Sequence, residues 1–166
     1  LENANGDPAC FNVLFLAHCT RGKGLFDTLD GVAAANAQLA SVGSPIRIHL
    51  TVAGEFIDPD EQAEFEQRIQ QADLQSTPGQ SCVTYLGFVT GESKHRAFAA
   101  SDCFCFPTYY YAESFGLVVL EAMAFGLPII VSRWRSIPEL MVTDYPGLIS
   151  PRDPTQIASP LVRMIT

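Results

Sequence analysis

The sequence lacks a basic excess. Ten Lys and Arg stand against 18 Asp and Glu, a formal net charge of −8. No basic stripe exists to neutralise a phosphate backbone, which excludes nucleic acid as a partner. One Arg or Lys is still enough for a small phosphate ligand. The chain also lacks any apolar run near the roughly 20 residues of a bilayer crossing. CxxC spacing is missing, as are a Ser-His-Asp set and a metal-ligand cluster, so no metal is expected. The five cysteines (10, 19, 82, 103 and 105) are odd in number and mostly lie among apolar residues. They read as buried free thiols in a reducing compartment, in preference to a metal or disulfide site. There is no initiator Met and no signal sequence. A polar lead-in, ENANGDP, follows Leu1, and residues 157–166 read as a helix that simply stops. The expectation is a piece of a longer, cytoplasmic protein, with peripheral membrane attachment through another segment left open.

What is present suits one domain spanning residues 1–166. That length buries about 70% of the unfolded surface, and 48% hydrophobic residues, 17% charged residues and 11 Phe exclude a disordered tail. Six acids (Glu55, Asp58, Asp60, Glu61, Glu64 and Glu66) share one stretch; without them 12 acids face 10 bases. The acidity is local. Apolar runs at 12–18, 46–54, 81–89, 103–107, 128–132 and 147–151 alternate with helical patterns at 26–42, 59–74, 93–101, 115–125 and 137–142. Such interleaving predicts right-handed βαβ units. The fold class is α/β, a doubly wound, mostly parallel, six-stranded, Rossmann-like sheet. Its strands are apolar throughout, as expected when both faces are buried. Ligands of such sheets bind beyond the carboxyl ends of the strands.

Two loops at that edge carry candidate chemistry. HCTRGKG (18–24) sets His18, Arg21 and Lys23 between a strand and a helix, with Gly22 and Gly24 permitting close backbone approach. Cations beside unpaired amides hold phosphate. By itself this loop fits an ordinary surface turn equally well, and neither the dinucleotide fingerprint nor a P-loop spacing occurs. The second candidate is the stretch from Phe115 to Val131, whose only charged residue is Glu121. A buried carboxylate is costly without a partner. Eight residues earlier stands Glu113, before Ser114, a good N-cap residue, and Phe115, Gly116 and Leu117, whose amides are free at a helix start. Two carboxylates therefore flank an anion site, one suited to a ribose and the other to a sugar. The alternative is a solvent-facing Glu on a buried helix beside a loop Glu. Tyr109, Tyr110 and Tyr111 form an aromatic loop near the same edge, while His49 reads as a packed core residue and His95 as solvated.

The run ESFGLVVLEAMAFGLP (113–128) resembles the E-x7-E signature of family 4 retaining glycosyltransferases, the glycosyl transferases group 1. FLAHCTRGKG, LTVAGE, VTYLGFV, FAASDCFCFPT and SIPELM…PGLISPRDP resemble further segments of that family, in the same order. The resemblance implies the C-terminal, donor-binding half of a two-domain GT-B enzyme, whose N-terminal half supplies the acceptor site. It implies a nucleotide sugar (UDP-, GDP- or ADP-linked) as donor, transfer of a hexosyl unit with retention, and no cofactor. It also implies that the isolated half is inactive. Carried over, Lys23 binds the diphosphate, with Arg21 as a second cation, and Phe88 and Val89 border the base. Glu121 holds the ribose hydroxyls; Glu113, with Ser114, Phe115, Gly116 and Leu117, meets the transferred sugar and phosphate. Glu113 and Lys23 are thus the catalytic pair.

Three positions depart from the family pattern. His18 replaces a usual Arg, Ser114 a common Gly, and Arg133-Trp134-Arg135-Ser136 a loop often Gly-Gly. Two rival functions stay open: a sugar-nucleotide epimerase, and a nucleotide-binding module without catalysis.

Overall fold

The computed structural model describes residues 9–75 and 81–166. The lead-in ENANGDP lies outside them, and so does the side chain of Leu74. The elements run β1 (Cys10–Leu16), α1 (Leu25–Ser41), β2 (Arg47–Ala53), α2 (Pro59–Gln75), β3 (Val83–Tyr85), α3 (Gly91–Ala99), β4 (Cys103–Phe106), α4 (Leu117–Ala124), β5 (Ile129–Ser132), β6 (Leu148–Ile149) and α5 (Thr155–Ile165). The six strands form one sheet in the order β3-β2-β1-β4-β5-β6, and every pairing is parallel.

Burial on both faces explains the apolar strands. Val13, Leu14 and Phe15 at the centre of β1 are fully buried, as are Phe104 and Cys105 of β4 beside them. The cysteines Cys19, Cys103 and Cys105 are free and buried, and burial pushes the Cys19 and Cys105 thiols up to about 12. Such thiols pack as small hydrophobes and stay protonated. Helix α5 seals α1 with Ile157 and Leu161, both fully buried, each contributing about 1.5–3 kcal/mol. The approach is close enough that a Cβ on Gly31 would sit 2.5 Å from Ile157. No helix among the described residues is long and apolar enough to cross a membrane.

Element ends differ from the sequence pattern where single residues redirect the chain. The strand expected over 81–89 shrinks to Val83–Tyr85 because Gly87 turns out at φ 68°. The helix expected over 137–142 is a 3-10 turn, Ile137–Leu140, with Pro138 at its start.

The order of strands positions the site. Connections step from β1 outward to β2 and β3, then return past β1 to β4, so the winding reverses between β1 and β4. Right-handed crossovers then send the loops after these two strands to opposite faces, leaving a crevice at their carboxyl ends.

Candidate functional site

The loop after β1 is built as a tight basic turn. Residues Arg21–Lys23 form one 3-10 turn whose first end is capped by Thr20: its hydroxyl accepts from the Lys23 amide at 3.3 Å. Gly24 closes the turn at φ 86°, where a Cβ would meet the Pro107 carbonyl oxygen at 2.5 Å. Only glycine fits that conformation and that approach. The turn therefore locks Lys23 against the loop after β4. Lys23 Nζ donates to Glu113 Oε2 at 2.8 Å, and the two side chains are only 16% and 8% exposed. The ammonium also lies 4.6 Å from the Tyr110 ring centre, a cation–π contact. Thr108 Oγ1 stands 3.2 Å from the same Glu113 oxygen and 3.3 Å from the Gly22 carbonyl oxygen, so its one proton serves either.

Helix α4 starts later than the sequence pattern implies. Its cap is Gly116, in the left-handed region at φ 57°, and the Gly116 carbonyl accepts from the Val119 amide at 2.7 Å. Ser114 does not cap the helix; its carbonyl instead accepts a hydrogen bond from the Ser136 hydroxyl. The amides of Leu117 and Val118 have no carbonyl to bond inside the helix, and the positive end of the helix dipole lies there.

A cavity of about 460 Å³ occupies the crevice. It brings together Lys23, Phe88, Val89, Glu113, Ser114, Gly116 and Leu117. Three expected site residues lie outside its wall. Arg21 is drawn to α2: its amide bonds Glu61, its guanidinium bonds Glu64, and it packs 4.3 Å over the Phe26 ring. The expected second cation of the phosphate loop is thus spent on the acid cluster. Phe115 is 65% exposed. Glu121 reaches the cavity only through Lys94, whose Nζ donates to Glu121 Oε1 at 2.6 Å and which itself lines the wall.

Lys94, Thr108 and Thr90 escaped the sequence reading. Lys94 sits in the polar run ESKHR and looks there like surface charge; no local signal marks it. Of the two histidines read from the sequence, His95 is exposed as expected, whereas His49 is not a fully packed core residue. His49 is half-buried on a sheet face, with Nε2 3.0 Å from Thr84 Oγ1, and burial holds its pKa below the ordinary value. The His95 ring packs edge-on to Phe125 at 4.9 Å. Among the described residues, no group of three His, Cys, Asp or Glu side chains is placed to hold a metal ion.

The arrangement suits an elongated anion with a polar tail. Two lysines, Lys23 and Lys94, and the start of α4 line the cavity, with the carboxylates of Glu113 and Glu55 in its wall and Glu121 behind Lys94. A D-inositol 3-phosphate glycosyltransferase from Pseudarthrobacter chlorophenolicus is 32% identical over 143 residues, 86% of this chain and 31% of that protein. A mannosylfructose-phosphate synthase from Agrobacterium fabrum is 30% identical over 123 residues, 72% of this chain and 25% of that protein. The C-terminal domain of the glycosyl transferase group 1 protein LpcC from Francisella tularensis superposes with a TM-score of 0.71 at 26% identity, covering 93% of this chain and 75% of that one. HepE from Anabaena, solved with UDP and glucose, has the same fold, with a TM-score of 0.72 at 22% identity over 95% of this chain and 38% of that one. The chain spans less than a third of the length of these two curated relatives, 31% and 25%. A family-wide sequence profile described as glycosyl transferases group 1 matches residues 11–166, and the chain belongs to that family.

Proposed function

We propose that this chain is the donor-binding domain of a retaining glycosyltransferase, holding a nucleotide-diphosphate sugar from which a hexosyl unit passes to an acceptor. The observation that carries the reading is the cavity at the winding reversal, which gathers the buried Lys23–Glu113 pair, the start of α4 and the Phe88–Val89 loop. In this reading Lys23 and the amides of Leu117 and Val118 take the diphosphate. Phe88 and Val89 border the base, Glu121 takes the ribose hydroxyls, and Glu113 faces the sugar. The leaving diphosphate is stabilised by fixed cationic and amide groups, so the reading calls for no metal and no cofactor beyond the donor itself. The UDP-bound state of HepE makes UDP and UDP-glucose the first probes, with GDP and ADP beside them.

A melting experiment tests this. Each ligand that binds the folded chain alone raises its melting temperature by mass action. At millimolar concentration at least one of UDP, GDP and ADP is expected to raise it; no shift with any of the three refutes the phosphate site as drawn. Transfer is a separate matter. It needs donor and acceptor held in reacting geometry, and the proposal gives this domain the donor alone, with a second domain of the full protein supplying the acceptor. The purified chain is therefore expected to glycosylate nothing, and sustained transfer by it would overturn the division between domains.

A further inference from the structure

The loop after β5 departs from the family's glycine pattern, and the structure shows what its larger side chains do. Three consecutive residues each reach across to a main-chain carbonyl of the loop that carries Glu113. Trp134 Nε1 donates to the Tyr110 carbonyl at 2.8 Å, an Arg135 guanidinium nitrogen donates to the Tyr111 carbonyl at 2.6 Å, and the Ser136 hydroxyl donates to the Ser114 carbonyl. None of these is a contact between neighbours in sequence. The donors are rooted in the sheet: the Arg133 amide bonds the Ile149 carbonyl at 2.7 Å and the Trp134 amide bonds the Ser132 carbonyl at 2.8 Å. On its other side the same loop is tied to the phosphate turn, where the Tyr109 amide bonds the Gly22 carbonyl at 2.8 Å. Between these two attachments the chain passes through Glu113.

Arg135 holds this position at a conformational cost. Its φ is 52°, in the left-handed region that favours glycine. A non-glycine residue in such backbone points to a task for its side chain. Here the guanidinium lies 5.9 Å from the Trp134 ring centre and spans to the Tyr111 carbonyl.

We propose that residues 133–136 form a clasp that positions Glu113, with Trp134, Arg135 and Ser136 as positioning residues for the sugar-facing carboxylate. This rests on reading Glu113 as the sugar contact. The clasp touches main chain and so fixes the course of the loop. It makes no direct contact with Lys23, and it acts through the loop that carries Tyr110 and Glu113, so the larger effect is expected on the sugar.

Two substitutions separate this from a merely structural role. Trp134→Phe keeps an aromatic ring and removes the N–H donor. Arg135→Gly removes the guanidinium and relieves the backbone, so it folds without new strain. Both are measured in the intact chain, with the diphosphate and the glucose conjugate of whichever base the wild type binds, UDP and UDP-glucose first. Amide hydrogen exchange at residues 111–115 is expected to quicken at least tenfold, while residues 104–106 and 129–132 stay as they were. Affinity for the diphosphate is expected to hold within twofold, and the advantage of the sugar conjugate over the diphosphate to fall at least fivefold. Unchanged exchange at 111–115 overturns the clasp, and so does equal weakening of both ligands. Glu113→Ala serves as the separate control: if it leaves the sugar advantage intact, the reading of Glu113 fails, and the exchange measurement still decides the clasp on its own.

Discussion

Two lysine–glutamate pairs stand at one cavity, and burial divides them. Lys23 and Glu113 meet at 2.8 Å with side chains 16% and 8% exposed; Lys94 and Glu121 meet at 2.6 Å with side chains 29% and 44% exposed. The shorter pair is the weaker one. Water around Lys94 and Glu121 already solvates both charges, so their attraction contributes about 0–1 kcal/mol. Around Lys23 and Glu113 little water remains, and each charge depends on the other and on the Thr108 hydroxyl. An exposed carboxylate keeps one oxygen open for a ligand hydroxyl. A buried one opens only when something else takes its cation, as a diphosphate would. The two pairs therefore differ in kind: one is part of the folded structure and the other is a ready contact.

The largest test of that difference is on stability. Lys23→Met strands the Glu113 carboxylate and is expected to destabilise the chain by about 3 kcal/mol, besides removing diphosphate binding. Lys94→Met is expected to change stability by about 0.5 kcal/mol or less. Urea denaturation of both variants measures the gap. Equal losses would mean that burial does not rank these pairs. Adding Glu113→Gln to Lys23→Met removes the stranded charge and is expected to restore much of the loss.

Much of this comparison was legible before any coordinates, though not its sharpest part. Apolar runs broken by Gly and Pro gave all six strands in order, because strands buried on both faces cannot carry polar residues cheaply. Lys23 and Glu113 were candidates because ligands of such sheets bind at the carboxyl edge, and the family resemblance singled them out together. The pairings did not follow. Arg21 reads as a phosphate ligand until Glu64, 43 positions away, takes it, and Lys94 reads as solvated until Glu121, 27 positions away, holds it. Side-chain pairing across the sheet leaves no local pattern. The start of α4 was missed for another reason: Ser114 has the right chemistry for a cap, but Gly116 has the backbone freedom the turn uses. Trp134 stands between Arg133 and Arg135 with no local pattern to name its partner, and its N–H is committed to the Tyr110 carbonyl, 24 positions away.

Binding sharpens the comparison at a smaller scale. Glu121→Ala is expected to weaken nucleoside diphosphate and nucleotide sugar alike, by about 1–3 kcal/mol as charged hydrogen bonds to the ribose are lost. Glu113→Ala removes the competitor for the Lys23 ammonium, so diphosphate affinity is expected to hold or rise while the sugar conjugate loses its advantage over the diphosphate. In a full-length enzyme that second change should depress turnover, since its contact matters most as the sugar departs. Calorimetry with both ligands decides it. Equal losses for Glu113→Ala on the two ligands would end the division of labour.

A third carboxylate completes the series, because it has no bridge. Asp27 lies in the first turn of α1, half-buried, and its Oδ2 has no hydrogen-bond partner. Burial, then the neighbouring Asp30, pushes its pKa above the ordinary 3.8, and the attraction of Arg21 and Arg152 only partly opposes them. A carboxyl whose folded pKa is raised holds its proton more tightly folded than unfolded. Its favourable contribution is therefore complete below about pH 3.8 and is lost as pH rises through that value to the folded one. At neutral pH the ionised group is a small burden, trimmed by solvent screening to about 0.5 kcal/mol at most. Asp27→Asn is accordingly expected to raise the melting temperature slightly at pH 7, with the gain vanishing toward pH 3.5. Thermal melts of both proteins across that range read the difference directly. A variant less stable than wild type at pH 7, with the deficit closing in acid, would show that Arg21 and Arg152 hold Asp27 as a true partner, and that even the unbridged carboxylate is paired.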